Sequence, residues 1–438
     1  MNSFWLIIYN IILYPVFFIT TLLLLPFNLK IRSGFLGRFY SLNKLREFKE
    51  TNSFSEIYWF HVSSFGEFQQ IESIISKIKS SNDNAGIVVS FFSPSGYTNV
   101  DNKNIDCKIY IPFDFLWSAF RAFKIIKPKK LILASYDIWP NILVVARFLN
   151  IKTILISARI HSNSFKLTRT GKSIYKCIYN LVDQIFTVNK TDLGNMKLIV
   201  PNKTIEALGN PRFDIAFDKE SSIGIKFDMD YKLKNKLFLF ASLWPEDDSV
   251  LFPTIFDLLQ YDNGAKIILV PHELSDKSIN YYQKQASRKN LSSIVIEDYI
   301  DLSKLKERVV IVNTVGILYK LYWQAYIAYI GGGFSKNGIH NIMEPAVASN
   351  PVIFGPNYSN GNFFEAEELL KASSAYIVKS PKQLMESFAK LNHINTYDSA
   401  SKSSRRVIKN NLGSTDKLLS RIVAVSYTHL TLPTTPYV

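Results

Sequence analysis

Two acidic residues follow apolar segments that have the composition of buried strands. Glu67 comes shortly after the run Ile57 to Val62, in the turn Ser63-Ser64-Phe65-Gly66-Glu67, and Asp137 comes shortly after the run Leu131 to Ala134. In open α/β sheets, functional groups gather beyond the carboxyl ends of the strands. A carboxylate placed there could take the proton from a hydroxyl nucleophile, so Glu67 is a candidate general base.

Each of these carboxylates also has a structural explanation. Ser64 and Glu67 have the spacing of a capping box, in which the glutamate accepts a hydrogen bond from a backbone N–H at the start of a helix. Asp137 could likewise cap a helix or stabilise a turn. The residues alone leave the catalytic and the structural interpretation open for both positions.

A glycine-rich turn in the second half of the chain is a candidate anion site. The segment from 326 to 356 predicts a strand, the turn Gly331-Gly332-Gly333, a helix from about Ile342 to Ser349, and a second short strand. Glycines let the backbone approach a ligand, and Asn341 with Glu344 resembles a capping box at a helix start, where free N–H groups attract phosphate. The alternative is that a doubly wound sheet needs tight turns here, since the spacing is not the dinucleotide-binding GxGxxG pattern.

Strand and helix patterns alternate through both halves of the chain. Short apolar runs are followed by polar turns and then by apolar residues at helical spacing, as in Ile71, Ile74, Ile75 and Ile78. This alternation predicts an α/β fold with parallel sheets covered by helices on both faces. Residues 216–236 are polar and lack periodicity, and they are predicted to form the linker between two domains.

The first apolar segment is long enough to span a bilayer. Phe4 to Phe27 contains no charged residue, and at about 1.5 Å per residue a helix of that length exceeds a hydrocarbon core of about 30 Å. It lacks the preceding basic region and the following cleavage site of a signal peptide. Residues 30–50 contain six basic and two acidic residues. The positive-inside rule therefore predicts an inner-membrane anchor with the remaining chain on the cytoplasmic side, against anionic lipid.

Composition restricts the partners further. Lys plus Arg number 51 against 36 for Asp plus Glu, a net charge of +15, which favours an anionic partner such as nucleic acid, acidic lipid or a phosphorylated substrate. The charge is dispersed, which disfavours nucleic acid. The two cysteines exclude a disulfide framework, and the six histidines lack metal-ligand spacing, so no metal is expected.

Taken together, the motifs resemble those of the 3-deoxy-D-manno-octulosonic acid (Kdo) transferase family. The matching segments are HVSSFGE at 61–67, SPSG at 93–96, DIWPN at 137–141, AR at 158–159, GNPRFD at 209–214, AS at 241–242, GGGFSKNGIHNIMEP at 331–345 and GNF at 361–363. Each segment is a weak signal alone. Their number, order and spacing make the resemblance specific.

The resemblance implies an α/β fold with two Rossmann-like domains facing a cleft, the glycosyltransferase B-type fold, behind an N-terminal membrane anchor helix. It implies transfer of Kdo from CMP-Kdo to a lipid A precursor in lipopolysaccharide core assembly, without a cofactor. Glu67 would be the general base, and Asp137 and Arg212 would stabilise the transition state. The substrate-binding residues at the CMP end would be His272, Glu273, Val315, Gly316, Ile317, Asn341, Ile342, Met343 and Glu344.

These expectations divide the chain into five segments. They are a membrane anchor at 1–30, an N-terminal acceptor domain at 31–218, a C-terminal nucleotide-sugar domain at 219–400, a C-terminal helix at 401–425 and a non-native tail at 426–438. Two other functions fit the same residues. One is a transferase of the same fold that uses another nucleotide sugar, such as a UDP-hexose, and the other is a membrane-anchored glycolipid-binding protein without enzymatic activity.

Overall fold

The protein, seen in a computed structural model, forms two compact units. The structure describes residues 4–225, 227–261, 264–336, 338–358 and 364–424, so the GNF motif at 361–363 and the predicted non-native tail at 426–438 lie outside the described residues. The first unit combines residues up to Asp214 with those from Gly413 onward, and the second is Ile215–Leu412. Each unit contains a seven-stranded parallel sheet, which confirms the predicted fold class.

The first sheet has the strand order β3-β2-β1-β4-β5-β6-β7. Its strands are β1 Glu56–Val62, β2 Ala85–Phe91, β3 Cys107–Tyr110, β4 Lys130–Ala134, β5 Lys152–Ala158, β6 Gln184–Thr187 and β7 Ile205–Ala207. The chain builds outward from β1 to β3 and then returns to the other side of β1 to form β4. The strand order therefore reverses between β1 and β4, and such a reversal opens a crevice at the carboxyl ends of the two strands.

Helices cover both faces of this sheet. They are α1 Phe4–Ile8, α2 Tyr14–Leu24, α3 Leu29–Thr51, α4 Phe65–Phe68, α5 Glu72–Ser81, α6 Pro94–Asn99, α7 Leu116–Ile126, α8 Pro140–Phe148, α9 Arg169–Tyr179 and α10 Lys190–Lys197, with a π-helical turn at Tyr9–Leu13. The next helix, α11 Arg212–Ile223, begins in the first unit and continues into the second. Successive residues of a strand point to opposite faces. Trp59 of β1 accordingly packs in the cluster with Leu45 and Phe48 of α3, whereas Tyr58 and Phe60 pack in the cluster on the other face.

The second sheet has the order β10-β11-β9-β8-β12-β13-β14. Its strands are β8 Leu237–Leu243, β9 Lys266–Pro271, β10 Ser293–Ile296, β11 Val309–Val312, β12 Ile327–Ile330, β13 Val352–Phe354 and β14 Ala375–Ile377. Its helices are α12 Met229–Asn235, α13 Asp248–Leu251, α14 Leu258–Tyr261, α15 Asp276–Ser287, α16 Leu318–Gln324, α17 Met343–Val347, α18 Phe364–Lys371, α19 Pro381–Asn392 and α20 Ile394–Asn410. The order reverses between β8 and β12, which creates a second crevice of the same kind.

The last helix, α21 Ser414–Val423, belongs to the first unit. Leu418 and Ile422 pack in the cluster that contains Tyr58 and Phe60. Asp214 accepts hydrogen bonds from the backbone N–H groups of Gly413 and Thr415, both at 2.7 Å. The segment predicted as one C-terminal helix at 401–425 is thus the end of α20 in the second unit and α21 in the first.

The predicted linker at 216–236 is wrong, because the described part of this segment is mostly helical. It contains most of α11 and all of α12. Lys232 of α12 is fully buried, and its Nζ donates to the carbonyl oxygen of Ala348 and to Oδ1 of Asn350, both at 2.6 Å. The helix is held by this buried, hydrogen-bonded amino group together with only two apolar residues, Met229 and Leu233, that pack against the core, so the sequence shows little helical period.

Phe4–Leu24 is, among the described residues, the one helical segment long and apolar enough to cross a membrane. One side of it is fixed to the first unit by polar contacts. Tyr9 Oη donates to Asp114 Oδ2 at 2.7 Å, and the amide groups of Asn10 and Asn141 exchange two hydrogen bonds of 2.8 and 3.0 Å. The opposite side exposes large apolar side chains.

Candidate functional site

The turns that carry Glu67 and Asp137 lie at the crevice of the first sheet. β1 and β4 are hydrogen-bonded neighbours, with His61 opposite Leu133 near their carboxyl ends. Glu67 follows β1 and Asp137 follows β4. The structure therefore brings the two carboxylates, which are 70 positions apart in the chain, to adjacent turns at the place where the strand order reverses.

Glu67 takes part in a helix cap. Ser64 is the N-cap of α4, and its Oγ accepts from Glu67 N at 3.4 Å. Glu67 Oε2 in return accepts from Ser63 N at 2.5 Å, one residue earlier than in a standard capping box. This bond uses one of the two carboxylate oxygens, so a capping role and a role toward a ligand are compatible.

The environment of Glu67 changes its acidity. Burial of the carboxyl group, with a further contribution from the negative charge of Asp137, raises the pKa of Glu67 to about 8, although the Ser63 N–H opposes the shift. A carboxylate of raised pKa is a stronger base than an ordinary one. Its pKa also lies near the pH at which an alcohol nucleophile must be deprotonated in a cell, which suits general base catalysis.

Asp137 is held by a buried histidine. His61 Nε2 lies 3.1 Å from Asp137 Oδ2, and His61 Nδ1 lies 3.0 Å from Ser90 Oγ and 3.1 Å from Ser90 O. His61 is 1% exposed. The three contacts fix the imidazole ring, and the ring in turn fixes the orientation of the Asp137 carboxylate.

Helix α8, which follows Asp137, is capped by a different carboxylate. Its N-cap residue is Trp139, and Asp114, from the turn after β3, accepts from the N–H groups of Asn141 and Ile142 at 3.1 and 2.9 Å. Burial raises the pKa of Asp114 to about 7. Asp137 is therefore not needed to cap α8, which removes one of its structural explanations.

Arg212 lies elsewhere on the first unit. It is the first residue of α11, which follows the edge strand β7, and its N–H donates to Asn210 Oδ1 at 3.1 Å. β7 is three places from β4 in the sheet, which corresponds to about 14 Å at the usual strand spacing. Arg212 thus follows a strand that is not a neighbour of β1 or β4, the strands that precede Glu67 and Asp137.

The residues predicted to bind the donor lie at one edge of the second sheet. His272 and Glu273 follow β9, and the turn Val315 to Ile317 follows β11. The segment Asn341 to Glu344 comes after the glycine turn that ends β12. These strands lie in the order β11-β9-β8-β12, and their carboxyl ends share one edge.

Three aromatic rings stack at this edge, and two of them were missed from the sequence. The ring centroids of Trp244 and His272 are 4.2 Å apart with planes 18° apart, and those of His272 and His340 are 4.4 Å apart. Trp244 Nε1 donates to His340 Nε2 at 2.7 Å. Because an indole N–H is only a donor, His340 carries its own proton on Nδ1. Trp244 could have been noticed because it directly follows the apolar run of β8.

Both histidines are neutral at physiological pH. Burial, together with the neighbouring His272, lowers the pKa of His340 to about 4. Burial also lowers the pKa of His272. A cavity of about 840 Å³ lies beside the stack and is lined by Trp244, His272, Glu273 and residues of α15. That volume falls within the range of small-molecule sites.

The glycine turn packs backbone against backbone. A Cβ atom on Gly333 would lie 2.4 Å from Gly355 N, and one on Gly331 would lie 2.3 Å from Ser242 O. Gly332 has a φ of +88°, and its N–H donates to Asp247 Oδ2 at 2.9 Å. The packing explanation therefore accounts for these glycines, and the Gly332 N–H is already used within the fold.

The predicted capping box at Asn341 and Glu344 is wrong. The helix begins at Met343 with Ile342 as N-cap, and it ends at Val347 rather than near Ser349. Asn341 Oδ1 accepts from Met343 N at 3.0 Å, whereas Glu344 forms an ion pair of 3.0 Å with Lys219. Such a short helix has a small dipole, which weakens the predicted attraction for phosphate.

The remaining predicted residues differ in exposure. Ile342 and Met343 are buried, whereas Val315 is 81% exposed and Gly316 has a φ of +85°. Ile317 is the N-cap residue of α16. No cluster of three metal-ligating side chains occurs within the residues that the structure describes.

Comparison with known proteins shows which family the chain resembles. Residues 33–215 match the family model described as 3-deoxy-D-manno-octulosonic-acid transferase (kdotransferase). A 3-deoxy-D-manno-octulosonic acid transferase of Aquifex aeolicus is 26% identical over 335 residues, which cover 76% of this chain and 85% of the relative. A bifunctional glycosyltransferase/methyltransferase of Fusobacterium nucleatum is 26% identical over 342 residues, which cover 76% of this chain, and the match spans about half (52%) of that longer protein.

Comparison with solved structures supports the fold. MurG of Acinetobacter baumannii matches with a TM-score of 0.52 and 11% identity, over 84% of this chain and 99% of MurG. At this identity the likeness concerns the fold alone. The sequence matches, together with the two Rossmann-like sheets, show that the chain is similar to the 3-deoxy-D-manno-octulosonic acid transferases.

Proposed function

We propose that the protein transfers Kdo from CMP-Kdo to a hydroxyl group of a lipid A precursor in lipopolysaccharide core assembly. The observation that carries the proposal is the group of Glu67, Asp137 and His61 at the crevice of the first sheet. It combines a carboxylate with a pKa of about 8 and a second carboxylate held in place by a buried histidine. Similarity to Kdo transferases supports Kdo as the transferred sugar.

Glu67 acts as the general base in this proposal. The acceptor hydroxyl oxygen forms a bond to the ketosidic carbon of Kdo, the bond from that carbon to the phosphate oxygen of CMP breaks, and the hydroxyl proton passes to Glu67. A positioned carboxylate typically contributes a factor of about 10² to 10⁴ to such a step. The Ser63 N–H, which Glu67 already accepts, keeps the carboxylate in place during the transfer.

Asp137 and Arg212 stabilise the charges that develop in the transition state. Positive charge builds on the sugar as the bond to CMP breaks, and the Asp137 carboxylate, held by His61, is suited to face it. Negative charge builds on the departing phosphate, and Arg212 is the residue proposed to stabilise it. Because its guanidinium group is cationic, Arg212 would act on this leaving group rather than on the acceptor.

The donor site is proposed at the carboxyl-end edge of the second sheet. The cavity beside Trp244 and His272 is of a size that admits a nucleotide. His272 is an exposed residue whose ring stacks on that of Trp244, and this stack offers aromatic surface to a nucleobase. Glu273, the exposed Val315 turn and the segment from Asn341 to Glu344 would complete the contacts with CMP-Kdo.

The N-terminal apolar helix would anchor the protein to the inner membrane through its exposed apolar side, with both units on the cytoplasmic side. The helix Phe4–Leu24 contains no charged residue and is long enough to cross a membrane. The residues that follow it are rich in Lys and Arg, and basic residues next to a membrane span favour the cytoplasmic, anionic surface. This location would give the enzyme access to a lipid acceptor.

The test is a transfer assay with the purified full-length protein in detergent. CMP-Kdo and a tetra-acylated lipid A precursor are incubated with the protein, and the products are identified by mass spectrometry. The expected product carries added Kdo, and its absence alongside an active control enzyme would refute the proposal. Thermal shifts with CMP and with UDP separate this function from a UDP-sugar transferase, because only a ligand that prefers the folded state raises the melting temperature.

A further inference from the structure

A second cavity, of about 460 Å³, lies in the first unit between the N-terminal helices and the ends of the strands. α2 and α3 form one wall. The turns after β2, β3 and β4 form the other, with Phe92, Phe113 and Trp139. Nothing in the catalytic scheme above uses this cavity, which will be called the apolar pocket.

Aromatic rings form the walls of the apolar pocket. Phe18 of α2 lies 5.3 Å, centroid to centroid, from both Phe35 of α3 and Phe113 of the turn after β3. Phe92 and Trp139 stack at 5.2 Å. Such a lining favours an apolar occupant, because water in the pocket would find few hydrogen-bond partners.

The apolar pocket has cationic residues on its wall. Lys30 is exposed, and Arg38 is half-buried with its guanidinium group 4.6 Å from the centre of the Phe92 ring. Arg38 Nη2 donates to the carbonyl oxygen of Phe92 at 2.9 Å. An occupant with an apolar tail and an anionic head would therefore match both the rings and the charges.

The apolar pocket adjoins the turns of the candidate active site. Ser93, which lines the pocket, donates its N–H to the carbonyl oxygen of Ser63 at 2.8 Å, and the N–H of Ser63 donates to Glu67. Trp139, on the wall, is two positions from Asp137. An occupant of the pocket would thus have its polar end close to both carboxylates.

The pocket is also continuous with the apolar surface of the N-terminal helix. Thr21 lines the pocket, while Leu23, on the outside of the same helix, is 66% exposed. A lipid could therefore reach the pocket along this helix without crossing water.

We propose that the apolar pocket binds one acyl chain of the lipid acceptor and so positions the acceptor hydroxyl group near Glu67. This inference rests on the proposed function, because it assigns a site to the acyl chain of the proposed acceptor. The occupant is an acyl chain attached to an anionic sugar, and Arg38 and Lys30 lie where the charged sugar would emerge.

The test is photolabelling in phospholipid vesicles with a glucosamine phosphate lipid whose acyl chain ends in a diazirine. In the wild-type protein, label is expected in peptides that contain Phe113 and Trp139, and an excess of the unlabelled acylated sugar should displace it. A phospholipid with the same diazirine should label the outer side of the helix instead. Equal labelling of the pocket by the phospholipid would show that bilayer lipid, not the acceptor, occupies it and would overturn the proposal.

Two variants make the test specific. Thr21→Trp narrows the pocket, and labelling by the acylated sugar should become at least about tenfold weaker, since excluding about two methylene groups changes affinity by that factor. Leu23→Trp adds the same side chain to the outside of the helix and should leave labelling unchanged. Unchanged labelling in Thr21→Trp, with circular dichroism showing a folded protein, would also overturn the inference.

Labelling does not require sugar transfer, so the two proposals can fail separately. Selective, displaceable labelling without Kdo transfer would leave the pocket standing and refute the proposed reaction. Kdo transfer without selective labelling would support the proposed reaction and refute acyl-chain binding in the pocket. As a further readout, Thr21→Trp should raise KM for an acylated acceptor, whereas Leu23→Trp should leave that KM unchanged.

Discussion

His61 Nε2 lies 3.1 Å from Asp137 Oδ2, and the charge of that same Asp137 helps to raise the pKa of Glu67 to about 8. These side chains come from β1, the turn after β4 and the turn after β1. They form one coupled group because the strand order of the sheet reverses between β1 and β4. The proposed base is thus tuned by a neighbour whose own orientation depends on a buried imidazole.

Replacing Glu67 by Gln should abolish transfer and leave the fold intact. The amide still accepts the hydrogen bond from Ser63 N but cannot take a proton, so the transfer rate is expected to fall by a factor of about 10² to 10⁴ while the CMP-induced thermal shift persists. Ser64→Ala is the matched control, because it removes the N-cap of α4 and should cost about 0.5–2 kcal/mol of stability without loss of chemistry. If Glu67→Gln instead lowers the melting temperature while the folded fraction keeps its specific activity, Glu67 is only a cap.

The activity should rise with pH up to about 8. Below the pKa of Glu67, which is about 8, the base is protonated and inactive, so kcat/KM should increase tenfold per pH unit and level off above pH 8. Asp137→Asn removes a negative charge beside Glu67, so the rise of kcat/KM should occur at lower pH. Because the two carboxylates interact, the apparent pKa in this profile belongs to the pair of Glu67 and Asp137. A profile that is flat between pH 6 and 8 would contradict the assignment.

Glu67 should also make the stability of the protein depend on pH, but stability should fall as pH rises whereas activity increases. The folded state raises the pKa of Glu67 above the ordinary value, so folding favours the protonated form. The stability from this group is fully present below the unfolded pKa and is lost as pH rises through about 8. Glu67→Gln should therefore lessen the fall in melting temperature between pH 6 and 9, a comparison that needs no substrate.

His61 is a positioning residue, and its replacement should weaken catalysis without removing the base. His61→Phe leaves Asp137 without its partner, and loss of one such hydrogen bond should lower kcat by between about twofold and about tenfold. The pH range over which kcat/KM rises should shift, because Asp137 is then free to move relative to Glu67. His61→Gln can restore a donor toward Asp137 and should recover part of kcat. A purely structural histidine would lower stability in both variants and leave the pH profile of the folded fraction unchanged.

The donor side can be tested at the aromatic stack. Trp244→Phe keeps a ring against His272 but removes the indole N–H that His340 accepts, whereas Trp244→Ala removes both. If a nucleobase stacks here, Trp244→Ala should weaken CMP binding by between about twofold and about tenfold, the range expected for one aromatic pair. Trp244→Phe should bind CMP nearly as well as the wild type. Equal binding of CMP by all three proteins, measured by titration calorimetry, would place the base elsewhere.

Sequence patterns were sufficient for features that depend on local order along the chain. Alternating strands and helices predicted both sheets, and placement at strand ends singled out Glu67 and Asp137. The pairing of Trp244 with His340 could not be predicted, because the two residues are 96 positions apart and meet only when β8 and β12 become neighbours. The packing of α21 on the first sheet could not be predicted for the same reason, since an amphipathic pattern does not indicate which sheet the helix covers.

The motif Gly-Asn-Pro-Arg-Phe-Asp at 209–214 should separate into a catalytic and a structural part. Asp214 accepts from the N–H groups of Gly413 and Thr415 and so holds the start of α21 on the first unit. Asp214→Ala leaves two buried donors unsatisfied and should destabilise the protein by at least about 1–3 kcal/mol. Arg212→Ala, two positions earlier, should lower kcat with little change in the free energy of unfolding. Denaturant titration and initial rates on the two variants check both outcomes, and a loss of stability in Arg212→Ala equal to that in Asp214→Ala would show that the motif serves only to attach the last helix.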